Sequence, residues 1–188
     1  MSSWLWPRAS PLDVEIHPEL VATAPKTGQV GEAFRHMAAR WDDPLSGEGA
    51  RIRGGRFNPP DSYPVLYLCT TRPCTIAELR QLGQRQMIGV EGLLPRVLYR
   101  YEISLDQVLD LTSSATLEHL GITVQQVTGA DLAIPRQIGE SAHATGVQAV
   151  KAPSATGVDE VIAVFPELLG SGRLIPELLE RWDSTNDL

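Results

Sequence analysis

The sequence predicts an α+β fold, with one mixed or split β-sheet and flanking helices in a single domain. Two observations carry this. The β-rich apolar runs PVLYLCT (64–70) and RVLYRYEISL (96–105) stand among helix-opening signals at Thr71–Pro73 and Pro135. The helices do not alternate regularly with the strands, as a doubly wound sheet requires. A chain of 188 residues, 43% of them apolar, suits one domain with its own core.

Residues 1–28 hold Pro7, Pro11, Pro18 and Pro25 without a sustained period, and read as an arm with one helical turn near Pro18–Ala22. Trp4 and Trp6 are placed to pin this arm to its own domain or to a second subunit. The domain proper is expected over 29–188. Val30–Met37 reads as a short strand and 40–63 as a long loop rich in Gly, Pro, Asp and Ser. Loops of that length are usually functional or disordered. PVLYLCT is a buried strand. Thr71 caps the next helix, with Pro73 in its first turn, and the helix runs to about Gln86. Arg96–Leu105 and Gln107–Leu111 read as two strands, and Ser114–Leu120 as a helix stopped by Gly121. Pro135 opens a helix ending near Thr145. Val147–Ala152 and Glu160–Phe165 are strands joined by Pro153–Asp159, and Pro176–Asp183 reads as a terminal helix.

The formal charge of −7 argues against a general nucleic-acid binder and for a local basic pocket if the ligand is an anion. Arg35, Arg40, Arg51, Arg53 and Arg56 supply one, and guanidinium suits bidentate phosphate contacts. Cys69 and Cys74 are the only cysteines, and read as buried free thiols. With His17, His36, His119 and His143 scattered along the chain, no zinc set can be assembled and no metal is expected. No signal peptide and no apolar run of about 18 residues is evident, so the expected location is the cytoplasm, away from membranes.

The densest chemistry lies in Ser46–Asn58, SGEGARIRGGRFN, with three arginines, four glycines and no lysine. It is neither a dinucleotide fingerprint nor a Walker loop, because it lacks the third glycine and any Gly-Lys-Ser/Thr. Gly54-Gly55 before Arg56 permits a tight turn or a close backbone approach to a ligand, and spacing leaves both open. An inward Arg56 needs an anion. Glu78, at the edge of the apolar stripe of TIAELRQL, could serve as a structural ion-pair partner or face a cleft. Tyr67 reads as a core tyrosine with a satisfied hydroxyl, or as a site residue, and Ser154 as a loop serine.

Taken together, SGEGARIRGGRFNPP, PVLYLCT, TIAEL and the late APSA resemble the RES-domain toxins of RES–Xre type II toxin–antitoxin pairs, over roughly residues 30–168. The family's Arg, Glu and Ser map onto Arg56, Glu78 and Ser154, and the aromatic-Arg start of its first strand onto Phe34-Arg35. Phe57 stands where the family usually has Trp, Pro60-Asp61-Ser62 where it usually has a glycine-bearing turn, and His36 where a tyrosine or apolar residue is frequent. The resemblance implies an ADP-ribosyltransferase-like fold. It implies cleavage of the nicotinamide–ribose bond of NAD+, with water or inorganic phosphate as acceptor and no prosthetic group. Glu78 would stabilise the oxocarbenium-like ribose, with Arg56 and Ser154 as the other catalytic residues. Arg35, His36, Arg56 and Tyr67 would bind NAD, with Arg51 or Arg53 in support. It further implies an Xre-type antitoxin partner and allows a homodimer within that complex. Transfer of ADP-ribose to a protein is the alternative reaction. A non-catalytic domain with an Arg56–Glu78 ion pair is the alternative class.

Overall fold

A computed structural model describes residues 15–188, so the expectations for Trp4 and Trp6 lie outside the described residues. Among the described residues six strands form the sheet: β1 (Thr27–Ala38), β2 (Leu66–Cys69), β3 (Arg96–Asp110), β4 (Ala149–Pro153), β5 (Glu160–Val164) and β6 (Arg173–Trp182). Their order is β1-β2-β5-β4-β3-β6, and β1 also pairs with β3. The first five strands therefore close on one another, while β6 lies on the outer edge of β3. Only β3 and β4 run parallel, so the sheet is mixed.

The two-residue period of the strands sorts the core into two layers. Ala33, Leu66, Leu68, Tyr101, Leu105, Ala149, Ile162 and Val164 come from all five closing strands and fill the space they enclose. The opposite faces of β4 and β5 (Val150, Ala152, Val161, Ala163) are covered by helices. These are α1 (Pro18–Thr23), α4 (Ser114–Leu120), α5 (Val124–Thr128) and α6 (Ala133–Ala144). The segment before β1 belongs to this layer: Ile16, Val21 and Ala24 are buried in it. Its chain is fastened to α6, with Ile16 N donating to Gln137 Oε1 (2.9 Å) and Ser141 Oγ to Ile16 O (3.1 Å).

Several expectations hold. Thr71 Oγ1 accepts from Cys74 N at 3.2 Å and opens α3 (Arg72–Arg85). Gly121 ends α4 with φ 66°. Cys69 and Cys74 are free and buried.

Three expectations are corrected. The loop 40–63 carries a short helix, α2 (Glu48–Arg53). The two strands expected over 96–111 are one, β3. Where its partner changes to β4, the buried side chain of Gln148 accepts from Asp106 N (2.7 Å) and Gln107 N (3.0 Å), so no break is needed. The expected terminal helix is instead strand β6. Its residues have helical propensity, but as a helix they would leave residues 96–104 of β3 unpaired on that side. A register shift at Leu98/Tyr99 leaves Leu179 as the extra residue, which blurs the alternation. The strand is secured by buried Trp182 and by Arg72, which donates to both oxygens of Glu180 at 2.9 and 2.7 Å.

Candidate active site

The elements around β1 and β2 enclose a cleft of about 590 Å³. Six arginines line it (Arg35, Arg40, Arg53, Arg56, Arg85, Arg96), with Glu78 as the only carboxylate among the described lining residues. The charge of the whole molecule is thus reversed locally, as an anionic ligand requires.

Glu78 lies on α3, and its side chain is 26% exposed. Its Oε1 accepts from Ser154 Oγ at 2.8 Å, and its Oε2 lies 3.9 Å from Arg85 Nη2. Ser154, just after β4, is buried and does not line the cleft. Its single hydroxyl proton goes to the carboxylate, so the 2.6 Å contact with Thr156 Oγ1 must be donated by the threonine; Thr156 N also donates to it, at 3.0 Å. Ser154 therefore fixes one oxygen of Glu78 rather than facing the cleft itself.

Arg56 is half-buried. Its Nη1 donates to Val127 O (2.8 Å) and Gly129 O (2.9 Å), the carbonyls at the end of α5. Burial lowers its pKa and the charge of Glu78 opposes that shift, yet no ion pair within 4 Å joins the two among the described residues. A plain Arg56–Glu78 salt bridge is not what the fold builds. Nη1 alone is anchored, and Nε and Nη2 have no hydrogen bond within the described protein.

Backbone contacts hold this arginine in place. Gly55 N donates to Asn58 O at 2.9 Å. Tyr67 Oη accepts from Phe57 N (2.8 Å) and donates to Asn58 Oδ1 (2.9 Å), while Asn58 Nδ2 donates to Ala50 O (2.7 Å). Tyr63 Oη donates to Phe57 O at 2.9 Å. A Cβ on Gly55 would lie 2.4 Å from Tyr67 Oη, so the glycine pair serves a close approach to a side chain as well as a turn. Asp61 takes φ 54°, supplying the left-handed turn without a glycine. Tyr67 lines the cleft with its ring, but its hydroxyl is spent on the arginine loop, and burial pushes its pKa up. Tyr67→Phe leaves Phe57 N and Asn58 Oδ1 without partners. It is expected to cost about 2 kcal/mol in urea unfolding; a change under about 0.5 kcal/mol would show that the loop does not depend on it.

Arg35 lines the cleft too, donating to Pro44 O (2.9 Å) and Ser46 O (3.1 Å), and so ties down the arginine loop. Arg53 lines the cleft. Arg51 does not: it pairs with Glu48 at 2.8 Å on the surface.

His36 also lines the cleft, with an Nδ1 that is shielded and unpartnered. Burial, then the charges of Arg96 and Arg35, lowers its pKa from 6.5 to about 3. Between these values the unfolded chain binds a proton that the folded chain refuses. Stability from this group is therefore present above about pH 6.5 and falls as the pH drops toward 3, by up to about 1.4 kcal/mol per pH unit. Unfolding free energies of His36→Asn are expected to fall less steeply between pH 6 and 4 than those of the unaltered protein; parallel curves would contradict the assignment.

Sequence reasoning missed Arg85, Arg96, Trp41, Asn58 and Gly139. Arg96 reaches the cleft only because β1 and β3 pair with Ala38 opposite Arg96. Asn58, directly after the Gly-Gly-Arg-Phe run, was the one with a local signal.

The RES-domain family model matches residues 27–185. The chain belongs to the RES family. This RES domain is 31% identical over 143 residues to the NAD(+) phosphorylase MbcT of Mycobacterium bovis and of Mycobacterium tuberculosis, covering 75% of this chain and 76% of theirs. It is also similar to a chain of the crystal structure of the M. tuberculosis MbcT–MbcA toxin–antitoxin complex. There the TM-score is 0.72 at 28% identity, over 89% of this RES domain and 91% of that chain.

Proposed function

We propose that this RES domain is a toxin that degrades NAD+ by phosphorolysis, transferring ADP-ribose from nicotinamide to inorganic phosphate. One observation carries the reading: Glu78, fixed by Ser154 at 2.8 Å, is the single carboxylate among the described lining residues of a cleft that six arginines also line. The reaction needs this pairing of charges. The bond from ribose C1 to the pyridinium nitrogen breaks, its electron pair leaves with nicotinamide, and nicotinamide departs neutral without a proton. Positive charge then develops on the ribose, where a preorganised carboxylate stabilises it. A phosphate oxygen forms the new bond to C1. The arginines offset the negative charge of the dinucleotide and of the incoming phosphate. Arg56, with Nε and Nη2 uncommitted, is the guanidinium for the reacting end. Arg35 and Tyr67 act mainly by holding the loop that carries it. The similarity to MbcT supports phosphate over water as the acceptor.

The closed mixed sheet with its cleft agrees with an ADP-ribosyltransferase-like ancestry. The reading includes a cytoplasmic site of action, where NAD is available. It also includes an Xre-type antitoxin that silences the cleft, in keeping with the MbcT–MbcA complex, and room for a homodimer within such a complex. The test is nicotinamide release from NAD+ by the purified protein with and without phosphate. Release that depends on phosphate, with ADP-ribose 1″-phosphate as product, is expected. Label from NAD appearing on a protein would replace this reading with ADP-ribosyl transfer.

A further inference from the structure

The charged groups of the cleft fall into two sets. Arg56 responds to Glu78 and Arg85. Arg96 responds to Arg40 and Arg53, and His36 to Arg96 and Arg35. Arg40 and Arg96 lie where β1 ends and β3 begins, since Ala38 faces Arg96 in the register, and Arg53, the last residue of α2, lines the same cleft.

This second set is incomplete as it stands. Arg40, Arg53 and Arg96 have no ion pair with any carboxylate among the described residues. Arg96 has a single described bond from its guanidinium, Nε to Leu93 O at 3.1 Å. Arg40, Arg53 and Arg96 line one cleft with no carboxylate among the described residues to neutralise them, and an anion of several charges fits among them. Beside them stands Trp41, which lines the same cleft and is 54% exposed even with the Arg40 guanidinium 5.6 Å over its ring. A large aromatic ring kept in solvent beside a polycationic cluster is what a base joined to phosphates requires: a π-face for stacking next to donors for oxygens.

We propose that this end of the cleft is an adenosine-diphosphate subsite, with Arg40, Arg53 and Arg96 taking the two phosphates and Trp41 stacking on the adenine. The identity of the nucleotide rests on the NAD reading; the pairing of base and phosphates does not. The subsite gives the dinucleotide one orientation, adenylate at Trp41 and nicotinamide riboside toward Glu78. It also supplies binding energy remote from the reacting bond.

The experiment measures binding of ADP and of inorganic pyrophosphate by calorimetry. Probes are the full-length protein, Trp41→Ala, the double variant Arg40→Gln/Arg53→Gln, and Arg96→Gln. ADP binding by the unaltered protein is expected. Trp41→Ala should weaken ADP about tenfold and leave pyrophosphate unchanged. The double variant and Arg96→Gln should weaken both about ten- to a hundredfold. Because Arg96 also bonds Leu93 O, the exposed Arg40/Arg53 pair provides the variant least able to disturb the fold. No ADP binding to the unaltered protein, ADP binding indifferent to all three variants, or Trp41→Ala weakening pyrophosphate as much as ADP would each overturn the proposal. Nicotinamide release by the unaltered protein reports on the reaction alone, so a failed reaction with intact ADP binding overturns the phosphorylase reading and leaves the subsite standing.

Discussion

Glu78→Gln is expected to lower nicotinamide release about a hundred- to a thousandfold while leaving the fold intact. The amide keeps the shape of the side chain and an oxygen that can accept from Ser154, so the 2.8 Å contact survives. Only the charge is removed, and preorganised groups of this kind contribute about 10²–10³ in rate. Little stability is at stake, because no close ion pair to Arg56 is broken and Arg85 stands 3.9 Å away with its side chain 61% exposed. Ser154→Ala separates charge from positioning: the carboxylate stays but loses its orienting donor. The expected result is a fall in kcat of about tenfold with KM for NAD nearly unchanged, whereas a merely structural serine would show itself in thermal stability. Unaltered turnover in Glu78→Gln would sink the assignment and favour a non-catalytic domain.

What was legible in the sequence was local. Thr71 with Pro73, Gly121, and the apolar run before Cys69 each announce themselves within a few residues, because caps and buried strands are short-range phenomena. The resemblance groups Arg56, Glu78 and Ser154 as a pattern, but which of them contact one another is not legible in it. Ser154, which the resemblance names among the catalytic residues, is buried behind Glu78. The satisfied hydroxyl expected of a core tyrosine at Tyr67 is found, but its partner, the backbone of Phe57, was not legible. Both depend on which atoms face each other across the sheet, and that follows from register. β6 was misread for the same reason: its helical propensity is a property of ten residues, while its strand state answers the open edge of β3. Arg96, brought opposite Ala38 by the same pairing, could not have been assigned to the cleft from its own neighbourhood.

Gly139→Ala tests how far that long-range positioning extends. On an isolated helix the change would stabilise by about 1 kcal/mol, since alanine is the better helix former. Here a Cβ at Gly139 in α6 would lie 1.8 Å from Phe57 O and 2.9 Å from Phe57 Cα. Backbone cannot swing away as a side-chain tip can, so either α6 or the Arg56–Phe57 segment must move. Phe57 is itself fully buried, and Tyr63, Tyr67 and Asn58 restrain the same residues. Overpacking of this kind costs roughly 1–3 kcal/mol and occasionally more. With backbone on the receiving side the upper end applies, leaving about 2 kcal/mol after the propensity gain is subtracted. For a domain of this length that is a fall in Tm of roughly 4–8 °C. Activity should fall further than stability alone explains, because relief of the clash shifts Arg56 away from its anchors Val127 O and Gly129 O. If Gly139→Ala instead raised Tm, helix propensity would be deciding this position, and close packing of α6 on the arginine loop would not be what holds Arg56 in the cleft.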